Sequence, residues 1–236
     1  MKMWNKFILI LFFVFTNCKS VSNYRQEING LYPPSNVNIP YHTEWARHHY
    51  PLRIRHFKKN PLNYDDIVFI GNSITESGGD WGKRLGLENV KNRGISGDVT
   101  EGVLSRLNEI VHYNPKAVII LIGINDMFNE ELSPEYIANN IFKITDVIVR
   151  KSPKTAIYVQ TILPTSNQHL IEKILKTNKI LKEKKGAFEL IDIYEIFVDN
   201  SNGLIQEKFT YDGTHLTEIG YNHWAHYLKS TILNKP

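Results

Sequence analysis

Apolar runs about the length of a strand recur at 67–70, 117–122, 155–161 and 188–193, with a further short candidate at 89–92. They are rich in Ile, Val and Leu and do not alternate strictly with polar residues. That is the character of strands covered on both faces of a parallel sheet. Between them the spacing lengthens to that of helices. Val103, Leu104, Leu107, Ile110 and Val111 share one face of 99–112, and Ile137, Ile141, Ile144 and Ile148 share one face of a helix running to about 150. Ser133-Pro134 gives that second helix an N-cap and a proline at its first position. A loop and short helix fill 76–85, a lysine-rich striped helix spans 168–185 and stops at Gly186, and 216–233 forms the last helix. Strand and helix thus alternate five times, with connections suited to right-handed crossovers. The expected fold is α/β, a three-layer α/β/α sandwich on a five-stranded parallel sheet.

The N-terminal third is organised differently. Trp45, His49, Leu52 and Phe57 fall near helical spacing in 43–60, among Arg47, Arg53, Arg55, Lys58 and Lys59. This is either a basic patch for an anionic polymer or lipid headgroups, or the solvated face of a helix packed on the domain; the packed helix is the expectation. Residues 19–42 are polar, contain Pro33-Pro34 and show no periodicity, as a tether or extended strap would. Residues 1–6 carry two lysines, and 7–15 are unbroken apolar sequence ahead of Thr16-Asn17-Cys18. The apolar run is too short to span a bilayer and reads as a secretory signal, 1–18. Cys18 falls where a bacterial lipoprotein signal is cleaved. The expectation is lipidation of Cys18, export to the cell envelope, membrane contact only through that anchor, and a single domain over 43–236.

Composition narrows the function classes. The 236 residues are 42% hydrophobic and 22% charged, which is ordinary for a globular protein with a sizeable core. The net charge of +4 owes part of its excess to Lys2, Lys6 and Lys19, so no nucleic-acid partner is expected. One cysteine excludes an intramolecular disulfide framework and a cysteine-based zinc site. Neither phosphate-binding glycine pattern follows the strand at 67–70, and the G-x-S-x-G elbow is absent because Thr75 stands at its second glycine. His223 and His226 stand three apart on the last helix without an acidic cluster, so no metal is expected.

The polar residues that follow the strands carry the chemistry. Parallel strands present their carboxyl ends on one edge, where ligands bind. Ser73 follows the first strand, Gly97 the second and Asn125 the third, and Asp212 and His215 lie beyond the fifth. Each has a structural alternative: helix caps for Ser73 and Asp212, a surface imidazole for His215, a turn for Asn125-Asp126, loop punctuation for Gly97. Together they are what a serine nucleophile requires. Histidine can take the hydroxyl proton, a carboxylate can orient the histidine, and donors at Ser73, Gly97 and Asn125 can hold an oxyanion.

In these blocks the chain resembles the SGNH hydrolase superfamily, the GDSL esterases and lipases. Gly71-Asn72-Ser73-Ile74-Thr75 matches the family's serine block, Ser96-Gly97-Asp98 its glycine block, Gly123-Ile124-Asn125-Asp126 its Gly-x-Asn-Asp block, and Asp212-Gly213-Thr214-His215 its Asp-x-x-His block. The resemblance covers about 65–233. It implies the flavodoxin-like SGNH fold, Ser73 as nucleophile, His215 as base, Asp212 as its orienting acid, and an oxyanion hole from Ser73, Gly97 and Asn125. Asn72 replaces the usual aspartate and Leu216 a common proline. The spacing and 93–100 look most like the branch of platelet-activating-factor acetylhydrolase-like proteins and bacterial acetylesterases. The implied activity is hydrolysis of short acyl esters, acetyl above all, on a glycan, without metal or organic cofactor. A lipid acyl hydrolase or thioesterase, and a catalytically idle glycan-binding domain, are the alternatives.

Overall fold

A computed structural model describes residues 30–233. The signal-like segment, Cys18 and the first part of the expected tether lie outside the described residues. Five strands form one parallel sheet: β1 (Ile67–Gly71), β2 (Val90–Gly94), β3 (Ala117–Leu121), β4 (Ala156–Gln160) and β5 (Glu189–Ile191), in the order β2-β1-β3-β4-β5. The chain reverses its direction of sheet-building between β1 and β3, and such a switch point opens a crevice at the carboxyl ends of those strands. Every residue of β3 is buried, which is why its sequence is apolar throughout.

The helices are α1 (Glu44–Lys59), α2 (Ser73–Ser77), α3 (Trp81–Leu85), α4 (Thr100–Leu104), α5 (Asn108–Tyr113), α6 (Ile124–Met127), α7 (Pro134–Lys151), α8 (Ile171–Glu183), α9 (Tyr194–Phe197) and α10 (Glu218–Leu228). They flank the sheet in the expected three-layer manner; α7 packs with α4, α5 and α8, and α10 with α3. The main core runs through both sheet faces, with Val68, Ile120, Ile144, Leu181 and Trp224 almost wholly buried.

Two local expectations are corrected, and one pair of strands is added. The helix foreseen over 99–112 is broken into α4 and α5. At the break the Ser105 hydroxyl donates back to the Glu101 carbonyl, and Arg106 turns inward to buried partners. The apolar face of α1 is Ala46, Tyr50, Ile54 and Phe57, whereas Trp45 and Leu52 are exposed. Helical spacing alone admits both stripes, and the partner surface selects one. A short antiparallel pair, β6 (Val198–Asp199) with β7 (Leu204–Ile205), was too brief to leave a periodic signal.

Residues 31–42 run as a strap against the domain. Tyr32 and Ile39 join Tyr50, Ile54, Phe57, Ile95 and Val99 in a second apolar cluster. Strap and α1 therefore cover the loop that follows β2, one of the strand-end loops of the candidate site.

Candidate active site

β1 ends at Gly71 because nothing larger fits. A Cβ there would collide with the Leu121 carbonyl and the Thr75 side chain, so glycine lets β1, β3 and α2 meet. The cap of α2 is Asn72, whose Oδ1 accepts the Ile74 amide at 3.0 Å. Ser73 is thus the first helical residue rather than the cap, and it is 8% exposed. The amide that replaces the family's usual aspartate keeps the capping bond but leaves its Nδ2 buried without a partner.

The last part of the domain brings His215 to this serine. Arg84 makes a two-pronged ion pair with Glu218 at 2.6 and 2.9 Å, and Tyr221 donates to the Ile74 carbonyl at 2.9 Å. These bonds fix α10 beside α3 and α2. In the turn before α10, Asp212 Oδ1 accepts the amides of Thr214 (2.9 Å) and His215 (2.7 Å). Its Oδ2 lies 2.6 Å from His215 Nδ1, and His215 Nε2 lies 2.9 Å from Ser73 Oγ. Partial burial opposes ionisation of Asp212, but the hydrogen bonds from the His215 ring and the two amides outweigh it, so its pKa lies below the ordinary value. An ionised carboxylate only accepts. It therefore holds the proton of neutral His215 on Nδ1 and leaves Nε2 free to accept from the Ser73 hydroxyl.

Gly97 sits in the loop after β2 with φ +75°, and a Cβ there would lie 2.9 Å from that of Ala46. The position demands glycine on both counts. Neither its amide nor that of Ser73 bonds to another described residue. Asn125, in α6, donates from Nδ2 to the Asp98 carbonyl at 2.8 Å, which ties it to the Gly97 loop and leaves its second N–H unspent. Unengaged donors thus stand at the ends of β1, β2 and β3. All five residues singled out from the sequence for catalysis come to this edge.

Other side chains build the loop and were not foreseen. Asp98 is wholly buried, 3.0 Å from His42 Nε2 and 2.9 Å from Arg106 Nη2. Arg106 also donates to the carbonyls of Arg93 (2.7 Å) and Gly71 (3.1 Å). Glu76, three residues beyond Ser73, accepts the amide (2.5 Å) and hydroxyl (2.7 Å) of Ser96 and pairs with His49 and Arg53. Burial opposes its ionisation, but these donors prevail and its pKa is lowered. Asp126 accepts the Thr100 amide at 3.1 Å, yet burial dominates and raises its pKa to about 7. The one signal that could have found any of these is Glu76's place one helical turn beyond Ser73. Among the histidines considered for a metal, His223 donates from Nε2 to the Ile196 carbonyl at 3.1 Å and stacks on Phe209, and His226 is exposed.

A parallel α/β sheet with a hydrogen-bonded serine, histidine and aspartate beyond its carboxyl edge is an architecture of serine hydrolases. Residues 69–223 match the GDSL-like Lipase/Acylhydrolase family, and the chain belongs to that family. Platelet-activating factor acetylhydrolase IB subunit alpha2 of Rattus norvegicus is 32% identical over 166 residues, which cover 66% of this chain and 71% of that one. A GDSL-like lipase from Bacteroides thetaiotaomicron shares the fold at a TM-score of 0.64 and 22% identity, covering 80% of this chain and 98% of its own. An acetyl xylan esterase, AlAXEase, does so at 0.56 and 19%, covering 71% and 99%. The protein is a hydrolase acting on ester bonds.

Proposed function

We propose that the protein is a serine carboxylic-ester hydrolase that removes short acyl groups, acetyl above all, from a carbohydrate through an acyl-enzyme. The single observation that carries this reading is the unbroken line from Asp212 Oδ2 through the His215 ring to Ser73 Oγ, with bonds of 2.6 and 2.9 Å. His215 Nε2 takes the Ser73 proton as Oγ bonds to the ester carbonyl carbon. The carbonyl oxygen becomes an oxyanion and receives the free N–H groups of Ser73, Gly97 and Asn125, each worth about 10²–10³-fold in rate. The carbon–oxygen bond to the alcohol then breaks, and His215 hands its proton to the departing oxygen. Water repeats the steps with His215 as base, and the acid leaves with Ser73 restored.

The acetyl preference is supported by names that agree on the acyl group and differ in the alcohol: an acetylhydrolase among the relatives and an acetyl xylan esterase among the fold neighbours. The relative's name also keeps a lipid ester in view as the second reading. Purified protein should hydrolyse p-nitrophenyl acetate faster than the butyrate and far faster than the palmitate. Ser73→Ala should lower kcat by about 10⁴-fold or more. Wild-type protein without turnover that depends on Ser73 would leave an idle binding domain as the better account, and a preference for palmitate would favour the lipid ester.

A further inference from the structure

The described residues expose five aromatic rings: Tyr41 (41%), Trp45 (59%), Tyr64 (63%), Phe128 (54%) and Tyr211 (68%). Two of them touch residues of the candidate site: Trp45 lies against Gly97, and Tyr211 stacks on His215. Exposed aromatic surface beside a reactive centre marks a binding surface more often than chance decoration.

Two of these rings are held in place. Tyr211 lies nearly parallel to the His215 imidazole, at 15° with ring centroids 5.9 Å apart. Its amide donates to the His215 carbonyl at 3.3 Å, and the Thr210 hydroxyl donates to the same carbonyl at 2.8 Å, so ring and imidazole share one rigid turn. Trp45 stacks on His49 at 4.7 Å and 19°, and His49 is anchored in turn by Glu76. The indole edge is 3.5 Å from where a side chain of Gly97 would begin. One ring therefore borders the base, and the other borders an oxyanion donor.

The chemistry assigns sides. The departing alcohol oxygen must come within hydrogen-bond reach of His215 Nε2 to collect its proton. The group attached to that oxygen therefore meets Tyr211. An open, flat, half-wet ring is a poor match for a long acyl chain, which gains most from an enclosed apolar channel. It suits a ring alcohol with one apolar face. The axial C–H groups of a pyranose meet the negative face of the aromatic ring while its hydroxyls stay in water.

Resting on the esterase reading above, we infer that Tyr211 and Trp45 form the alcohol subsite: a pyranose stacks on Tyr211 with its ester oxygen at His215, and Trp45 bounds the oxyanion side. Both residues are specificity determinants outside the catalytic relay, and Trp45 comes from α1, ahead of the segment that defines the family.

The test compares a fully acetylated methyl xyloside with ethyl acetate, whose alcohol is too small to stack. Tyr211→Ala should raise KM for the xyloside roughly tenfold, the worth of one well-stacked ring. It should leave kcat/KM for ethyl acetate within about twofold, and Tyr211→Phe should restore the xyloside KM. Trp45→Ala should act in the same direction with a smaller change. Equal losses on both substrates would make Tyr211 a brace for His215 and overturn the inference; so would no loss on either. A second measurement does not need turnover. Ser73→Ala protein should bind the same acetylated xyloside, followed by tryptophan fluorescence, and lose that binding when Tyr211→Ala is added. Absence of binding to Ser73→Ala protein overturns the subsite even if esters are cleaved. Binding that depends on Tyr211, in a protein that cleaves no ester, sustains the subsite and removes the esterase reading instead.

Discussion

On one side of Ser73 the Asp212–His215 pair is local and partly open, with side chains 41% and 30% exposed. On the other, Asp98, His42 and Arg106 are 0%, 2% and 3% exposed and come from the β2 loop, the strap and the α4–α5 break. The first pair is aligned by its own turn, through two amides of the same four residues. The second exists only when distant segments are already packed. Each side handles charge as its setting requires. An exposed acid–base pair can change protonation cheaply during a reaction, whereas a buried carboxylate must stay paired because an uncompensated charge there is costly. On the proposed mechanism the proton travels through the exposed half, while the buried half pins the loop that carries Gly97.

Substitutions should separate the halves. The largest effect belongs to the exposed one: His215→Ala should reduce kcat by about 10⁴-fold or more, and Asp212→Asn by about 10²–10⁴-fold. Urea midpoints should barely move in either case, since both side chains are partly solvated. Arg106→Met should do the reverse, lowering stability by about 3–5 kcal/mol because Asp98 loses its main counter-charge. Urea unfolding measures this, and a loss below about 1 kcal/mol would mean that His42 alone can hold Asp98.

A smaller effect sharpens the contrast through pH. Burial raises Asp126 from 3.8 to about 7, so its neutral form is the one the fold favours. The stability it contributes is full below the ordinary value and is lost as pH rises through about 7. Asp212, with its pKa lowered, has the opposite sign: its contribution is full above the ordinary 3.8 and is lost as pH falls below that value. Thermal melts from about pH 2 to pH 8 should show wild type losing ground to Asp126→Asn as pH rises towards neutrality, while Asp212→Asn loses ground to wild type as pH climbs through the range below 3.8, by less. Parallel curves for all three proteins would contradict the contrast.

The same division decides what the sequence could reveal. The sheet was legible because β1, β3 and β4 lie in contiguous apolar runs, whereas the largely polar β2 left only a short candidate; the α7 start was legible because Ser133-Pro134 is a local signal. Ser73, Asn125 and the Asp212–His215 turn were legible because each sits in a short block at a strand end or in one loop. His42, Asp98, Arg106 and Glu76 left no comparable trace. Their meaning lies in partners up to 56 residues away, and single-chain periodicity carries no record of such pairings. The face of α1 failed for the same reason: spacing proposes stripes, and only the covering strap chooses between them. The break at Ser105 was hidden because its apolar stripe continues across it.

The contact between Ser73 and His215 closes a loop of 142 residues. Closure of so long a loop is entropically expensive and is compensated only once the intervening sheet and α10 are in place. A refolding chain can therefore possess its strands, Ser73, Gly97 and Asn125 while His215 is still undocked. On the proposed mechanism, hydrolysis in such an experiment is a clock for the final docking of the 210–216 turn, and not for the collapse that precedes it.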